Sequence, residues 1–367
     1  MLLGAYEVPG YGGAATTGYQ LFERLLADGS LRPSWVNLMG EADAEYFRFA
    51  LGEGAGNPGG HPGVHDARLA APLYGPQPAL AALVAELDPD VVMAKGHVAA
   101  WLLGRAAPGR PLIFVTTGSR SVKQALAKGQ LVDAVTLRQV LDAGAPLPFP
   151  LQRFEREAVE RADLIVTHST LVRDLYARMF PGARGKLHPV VAWDVPGLGE
   201  ARATAPPAAV RPWAERDIRW MAVASSWTRP EKNLPLLRDL VERRGGPAVH
   251  VVGELPDELP GAVCHGLLPA DELAALLGRA RVLVCPSAFD ATPGILFEAS
   301  LAGCNLVASR NCGAHAVCAP SLLAEPPQLE GYLAALDRAL AGPVPDRRAE
   351  FDAADPFVEL RDLGLVL

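Results

Sequence analysis

Residues 281–309, with the sequence RVLVCPSAFDATPGILFEASLAGCNLVAS, decide the fold class of this chain. The segment begins with the apolar run Val282–Cys285 and ends with a second one, Asn305–Ala308. Both runs are typical of buried parallel strands. Between them, the tripeptide Thr292–Gly294 marks the start of a largely apolar helix. The segment therefore predicts a strand, a loop, a helix and a second strand, the repeating unit of doubly wound α/β domains.

Two carboxylates flank the expected start of this helix. Asp290 lies in the loop before it, and Glu298 lies eight positions later among apolar helix residues. The helix N-terminus presents unpaired backbone N–H groups at the carboxyl end of the sheet, where an anionic ligand is favoured. Since a carboxylate in apolar surroundings needs a partner, Glu298 either satisfies a nearby backbone group or binds a ligand.

The order Asp290, seven residues, Glu298 and then the small-residue run Ala299–Gly303 resembles the donor-site signature of retaining glycosyltransferases of the GT-B fold, especially family 4. Glu is the usual first acid, so Asp290 shortens that side chain by one methylene. The resemblance implies that Glu298 binds the ribose hydroxyls of a nucleotide sugar and that Asp290 lies near the transferred sugar. It implies further donor contacts at the start of the helix, from Thr292, Pro293, Gly294 and Ile295.

Composition restricts the class of protein. The chain has 367 residues, of which 50% are hydrophobic and 20% charged, so two globular domains of ordinary size are expected. A net charge of −7 gives no reason to expect nucleic acid as a partner. The five cysteines form no CxxC pair, which favours neither a disulfide framework nor a zinc site. Without a long apolar run, we expect a cytoplasmic protein whose membrane association is at most peripheral.

The N-terminal region has the pattern of a Rossmann-type domain. A short strand, Leu2–Tyr6, precedes a glycine loop and an amphipathic helix over Ala14–Ala27. Gly10, Gly12 and Ala15 satisfy a loose GxGxxA, which raises a dinucleotide-dependent oxidoreductase as an alternative.

The sequence of the second predicted strand disfavours the oxidoreductase. The predicted strand Ser34–Leu38 ends without the acidic residue that would bind a dinucleotide ribose, so the oxidoreductase is less favoured. The resemblance to GT-B transferases instead assigns Gly12 and Gly13 to the loop beside the donor diphosphate and the acceptor. Residues 41–76 are predicted to form a long loop with one short helix around Glu45–Leu51, and His61 and His65 are interpreted as solvated loop residues.

Family 4 enzymes often carry a histidine at the end of the strand that is predicted here over Val91–Ala94, near the reacting sugar. The corresponding position here is close to Lys95, and His97 follows two residues later. His97 is therefore either an acid/base group or hydrogen-bond donor to the sugar, or a buried first-turn residue of a helix. After the next strand, Ser119, Arg120 and Lys123 begin a helix that could receive an anionic group of the acceptor or form an ordinary solvated basic face.

The second half of the chain has its own basic turn, WTRPEKN, at residues 227–233. Lys232 matches the lysine of the family's phosphate-binding turn. The family's arginine falls on Trp227, and Arg229 is the candidate substitute. The resemblance also implies that Gly253 flanks the nucleotide base.

We therefore predict an α/β protein of the GT-B type, with two facing Rossmann-like doubly wound domains. The N-terminal acceptor domain is expected over residues 1–195 and the nucleotide-sugar donor domain over 196–345. Residues 346–367 are expected to form a C-terminal tail, a candidate to cross back to the N-terminal domain. The expected activity is retaining, metal-independent transfer from a UDP-, GDP- or ADP-sugar to a hydroxyl acceptor, with no cofactor other than the donor. A nucleotide-sugar epimerase, a phosphorylase of the same fold and a non-catalytic nucleotide-sugar-binding protein are the alternatives.

Overall fold

The structure, a computed structural model, describes residues 1–6, 13–29, 31–40, 60–73, 75–116, 118–131, 134–143, 147–189 and 210–344. One parallel sheet precedes residues 190–209 in the chain and a second parallel sheet follows them. The predicted boundary at residue 195, the predicted tail 346–367 and the predicted helix Glu45–Leu51 lie outside the described residues, and so does Gly12.

The first sheet has seven parallel strands in the order β3-β2-β1-β4-β5-β6-β7. They are Leu2–Tyr6 (β1), Ser34–Gly40 (β2), Val64–Leu69 (β3), Val92–Lys95 (β4), Leu112–Val115 (β5), Leu164–Thr167 (β6) and Leu187–Pro189 (β7). The helices of this half are Gly13–Asp28 (α1), Pro78–Leu87 (α2), His97–Ala106 (α3), Arg120–Ala127 (α4), Ala134–Ala143 (α5), Arg153–Arg161 (α6) and Thr170–Met179 (α7). Reversal of the strand order on either side of β1 and β4 is the doubly wound arrangement.

The second sheet has five parallel strands in the order β10-β9-β8-β11-β12. They are Ile218–Ser226 (β8), Val249–Glu254 (β9), Val263–Cys264 (β10), Ala280–Cys285 (β11) and Asn305–Ala308 (β12). Its helices are Leu234–Arg244 (α8), Ala270–Leu277 (α9), Gly294–Leu301 (α10) and Leu329–Leu340 (α11), and short 3₁₀ turns include Pro230–Lys232. The predicted strand, loop, helix and strand over residues 281–309 is confirmed as β11, α10 and β12.

Both sheets are buried on both faces, which explains the continuous apolar runs of their central strands. In β4, β5 and β12 every residue is buried. The second domain packs one apolar cluster against α8 and α11 and another against α9 and α10. In the described part of the chain, no helix is both long and apolar enough to cross a bilayer.

The prediction of a long loop over residues 41–76 is wrong at its C-terminal end. Residues 64–69 form β3, which pairs in parallel with β2 and places His65 opposite Val36. β3 is an edge strand, and only Ala67 and Leu69 are fully buried in it. Because an edge strand buries few side chains, its apolar alternation is short and the surrounding Gly and Pro residues conceal it. Helix α5 and the short edge strand β7 were likewise not predicted.

Candidate active site

The carboxyl ends of the two sheets face each other, and their loops are in contact. The Ser169 hydroxyl, after β6, donates a hydrogen bond of 2.9 Å to the carbonyl oxygen of Ala291. The Thr292 hydroxyl donates one of 3.3 Å to the carbonyl oxygen of His168. Phe289 and Ala291 belong to the apolar cluster of the first domain although they follow β11 of the second. The loop that carries Asp290 is therefore held by both domains.

An ion pair links Asp290 to the basic turn. The Lys232 Nζ lies 2.5 Å from the Asp290 Oδ2, and each side chain is 15% exposed. Burial alone would raise the pKa of Asp290, but the Lys232 ammonium outweighs it and lowers the pKa of that carboxyl. Burial would likewise lower the pKa of Lys232, yet Asp290 raises it. Both groups are therefore charged at neutral pH.

A second carboxylate, that of Glu231 in the basic turn, contacts two cations. The Glu231 Oε1 accepts hydrogen bonds from the Arg229 Nε at 3.0 Å and from an Arg229 terminal nitrogen at 2.6 Å. The Lys123 Nζ, on α4 of the first domain, lies 3.8 Å from the same oxygen. Glu231 is buried, but Arg229 and then Lys123 outweigh the effect of burial and lower its pKa. Glu231 was not predicted as a site residue, although an acid between two basic residues in RPEK was a signal for it.

The start of α10 and Glu298 lie on one face of the helix. Pro293 precedes the helix and makes no side-chain hydrogen bond to its first N–H groups. A Cβ added to Gly294 would lie 3.8 Å from the Glu298 Oε1, so this carboxylate faces the first turn. Glu298 is exposed on one side, but the surrounding protein still desolvates it enough to raise the pKa of its carboxyl. Its carboxylate makes no hydrogen bond or ion pair to any residue that the structure describes.

His97 begins α3, directly after Gly96, whose φ of 87° favours glycine. Burial, followed by the charges of Arg120 and Lys123, lowers the pKa of His97 from 6.5 to about 4. The imidazole is therefore neutral at pH 7. Lys95, at the position where the family histidine is expected, is buried in β4.

Trp227 and Gly253 have structural roles. The Trp227 indole is buried in the core of the second domain and donates a hydrogen bond of 3.0 Å to the Val252 carbonyl oxygen. Since Trp227 is a core residue, Arg229 is the arginine that this turn contributes to the cleft. Gly253 has a φ of 119°, and a Cβ there would overlap the carbonyl oxygen of Ala224. Backbone packing alone therefore requires a glycine at this position.

The remaining predicted residues lie as follows. Gly13 is the first residue of α1, whereas Gly12 lies outside the described residues. Pro293, Gly294 and Ile295 form the start of α10, whereas the Thr292 hydroxyl is used at the domain interface. Within the described residues, no group of three or more His, Cys, Asp or Glu side chains has the arrangement of a metal site.

No protein-family model matches this chain, and no curated protein matches its sequence. Solved structures match it over nearly its whole length. Sucrose-phosphate synthase from Thermosynechococcus elongatus is 17% identical with a TM-score of 0.67, over 99% of this chain and 98% of that one. HepE from Anabaena in complex with UDP is 14% identical with a TM-score of 0.60, over 99% and 98% of the two chains.

A glycosyltransferase from Rickettsia africae is 11% identical with a TM-score of 0.61, over 99% of this chain and 96% of that one. At such identities the likeness concerns the fold. Together with the two parallel sheets and their facing carboxyl edges, it shows that this chain has the GT-B fold of two Rossmann-like α/β domains.

Proposed function

We propose that this protein is a retaining, metal-independent glycosyltransferase that moves a sugar from a nucleoside-diphosphate sugar to a hydroxyl acceptor. The observation that supports it most directly is that Lys232, Arg229 and the start of α10 all lie at the carboxyl edge of the second sheet, where Lys232 pairs with Asp290 in the loop before α10. Cations and helix N–H groups at such an edge bind phosphates. UDP-sugars are the first donors to test, because HepE was solved with UDP and with UDP-glucose.

The basic turn would act on the leaving group. As the bond from the sugar to the diphosphate breaks, negative charge grows on the phosphate oxygens while the sugar becomes oxocarbenium-like. Preorganised cations lower the energy of that state without a cost of reorganisation. Arg229 and Lys232 would perform this role, which a divalent metal performs in other transferases, so chelation of metals with EDTA should leave the activity unchanged.

Glu298 would bind the ribose. Its carboxylate has no partner among the described residues and faces the start of α10, so a ligand there would supply the missing hydrogen bonds. Asp290 would lie near the transferred sugar, with its carboxylate held ionised by Lys232.

His97 would act as a neutral group, because its pKa of about 4 excludes an imidazolium at pH 7. It would exchange hydrogen bonds with the sugar. The leaving phosphate would then accept the acceptor proton on the same face of the sugar, which retains the anomeric configuration.

A non-catalytic nucleotide-sugar-binding protein is the second candidate. It is supported by Trp227 and Lys95, which are core residues where the family usually has arginine and histidine. Acceptor-independent hydrolysis of the donor separates the two candidates, since a transferase releases the nucleoside diphosphate slowly even without an acceptor. We propose a cytoplasmic protein with at most peripheral membrane association and no nucleic-acid partner.

Glu298→Gln tests the donor site in a panel of UDP-, GDP- and ADP-sugars screened by thermal shift, with affinities then measured by calorimetry. A ligand that binds only the folded state raises the melting temperature. We expect one nucleotide class to bind, and Glu298→Gln to weaken it by about tenfold through loss of a charge-assisted hydrogen bond.

Glu330→Gln, on the exposed start of α11, is the matched control and should bind like the wild type. Unchanged affinity in Glu298→Gln would overturn the ribose assignment. The absence of any shift across the panel would overturn the proposed function itself. NMR of the product's anomeric carbon then tests retention.

A further inference from the structure

Lys123 of the first domain lies against the basic turn of the second. Its Nζ is 3.8 Å from the Glu231 Oε1, and the side chain is 27% exposed. Helix α4 is fixed in place, because the buried carboxylate of Glu155 accepts hydrogen bonds from the backbone N–H groups of Arg120 at 3.1 Å and Ser121 at 2.9 Å. The position of Lys123, one turn into this helix, is therefore determined by the core of the first domain.

The charges around the turn do not balance. Lys232 and Asp290 pair one to one, whereas Glu231 faces both Arg229 and Lys123. Among the described residues of these ion pairs, three cations therefore face two carboxylates, and one positive charge remains. The excess lies where the proposed donor would place its diphosphate.

Among the residues that the structure describes, none accepts a hydrogen bond from the Lys123 ammonium. A separation of 3.8 Å from Glu231 is an ion pair but exceeds hydrogen-bond length, and no other described residue accepts a hydrogen bond from it. Burial lowers the pKa of Lys123, a cost that a hydrogen-bonded anion would remove. An ammonium that is partly buried and makes no hydrogen bond to the described residues is suited to bind an anionic ligand.

We propose that Lys123 is a third cation for the donor diphosphate, supplied by the first domain, so that both domains bind the same diphosphate. This inference rests on the proposed glycosyltransferase function. The anion could in principle be a phosphate on the acceptor. The donor is favoured because the carboxylates and cations that act on Lys123 all belong to the donor domain: Glu231, Arg229, Asp290 and Lys232.

Calorimetry on the full chain tests the inference with Lys123→Met, Lys123→Arg and the control Lys128→Met, whose lysine is exposed at the end of α4. The probes are UDP, GDP and ADP, the corresponding nucleosides, inorganic pyrophosphate and glucose 6-phosphate. We expect Lys123→Met to weaken the binding of the nucleoside diphosphate and of pyrophosphate by at least about tenfold. The binding of the nucleoside should weaken by less than about twofold. Lys123→Arg should retain most of the affinity, and Lys128→Met should match the wild type.

Each of the other results contradicts either the role of Lys123 or the proposed function. Equal binding of a nucleoside diphosphate by Lys123→Met and Lys128→Met overturns the role of Lys123 and leaves the proposed function intact. A loss confined to glucose 6-phosphate assigns Lys123 to the acceptor and overturns the inference. Lys123-dependent binding of pyrophosphate without binding of any nucleoside diphosphate supports the diphosphate contact but overturns the proposed function. The melting temperature of Lys123→Met shows whether the variant is folded.

Discussion

At the scale of single residues, Lys232 and Asp290 form an ion pair of two largely buried side chains. Lys232→Met leaves the Asp290 carboxylate without its partner where each side chain is only 15% exposed. We expect a loss of about 3–5 kcal/mol in the free energy of unfolding. The double variant Lys232→Met/Asp290→Asn removes both charges and should be more stable than Lys232→Met. Urea denaturation at neutral pH measures both, and additive losses would show that the pair is not coupled.

The lowered pKa of His97 predicts that the stability of the protein depends on pH. The pKa of this imidazole is about 4 in the folded protein, because burial and the charges of Arg120 and Lys123 disfavour the imidazolium, and 6.5 without those effects. The unfolded state therefore binds the proton more readily. Stability is complete above about pH 6.5 and falls as the pH decreases towards 4. His97→Asn should reduce this loss, measured as the difference in unfolding free energy between about pH 7.5 and about pH 5; equal losses in both proteins would contradict the assignment.

At the scale of elements, the end of β9 needs a particular backbone conformation. Gly253 donates a backbone hydrogen bond of 2.7 Å to the carbonyl oxygen of Gly266, and both glycines have positive φ, 119° and 64°. A Cβ at Gly253 would overlap the Ala224 carbonyl oxygen, whereas a Cβ at Gly266 meets nothing within 4 Å.

Gly253→Ala should therefore cost about 3 kcal/mol of unfolding free energy, from backbone strain and overlap together. Gly266→Ala is the matched control and should cost about 1 kcal/mol, since only the left-handed conformation opposes it. Urea denaturation of the two variants measures the difference. Equal costs would show that the strand end adjusts without strain.

At the scale of the whole molecule, the two domains share a core at one point. Phe289 is fully buried and packs in the apolar cluster of the first domain, one residue before Asp290. Asn311, which follows β12, donates a hydrogen bond of 2.7 Å to the carbonyl oxygen of Ala134 in α5. Unfolding of either domain therefore removes contacts from the other.

Phe289→Ala should lower the unfolding free energy by about 3–5 kcal/mol and separate one calorimetric transition into two, because it empties the shared core. Phe22→Ala, a truncation of equal size in the interior of the first domain, should destabilise the protein without that separation. Differential scanning calorimetry distinguishes the two effects. A single transition in Phe289→Ala would show that the domains are coupled through other contacts.

The sequence by itself determined the features that depend on neighbouring residues. Apolar runs and helix starts repeat within a few positions, so the central strands of both sheets, helix α10 and the spacing of Asp290 and Glu298 could be predicted directly. The edge strand β3 was missed because it buries too few side chains to repeat a pattern.

Only the tertiary structure decided which charges meet. Lys123 and Glu231 are separated by 108 positions in the chain, and their contact depends on how two independently wound sheets face each other. The core role of Trp227 and the docking of Phe289 in the other domain arise in the same way. Local periodicity indicates which face of an element is buried, but it does not indicate which distant element covers that face. The pairing of charges across the cleft depends on which distant elements lie together, so it could not be predicted from periodicity.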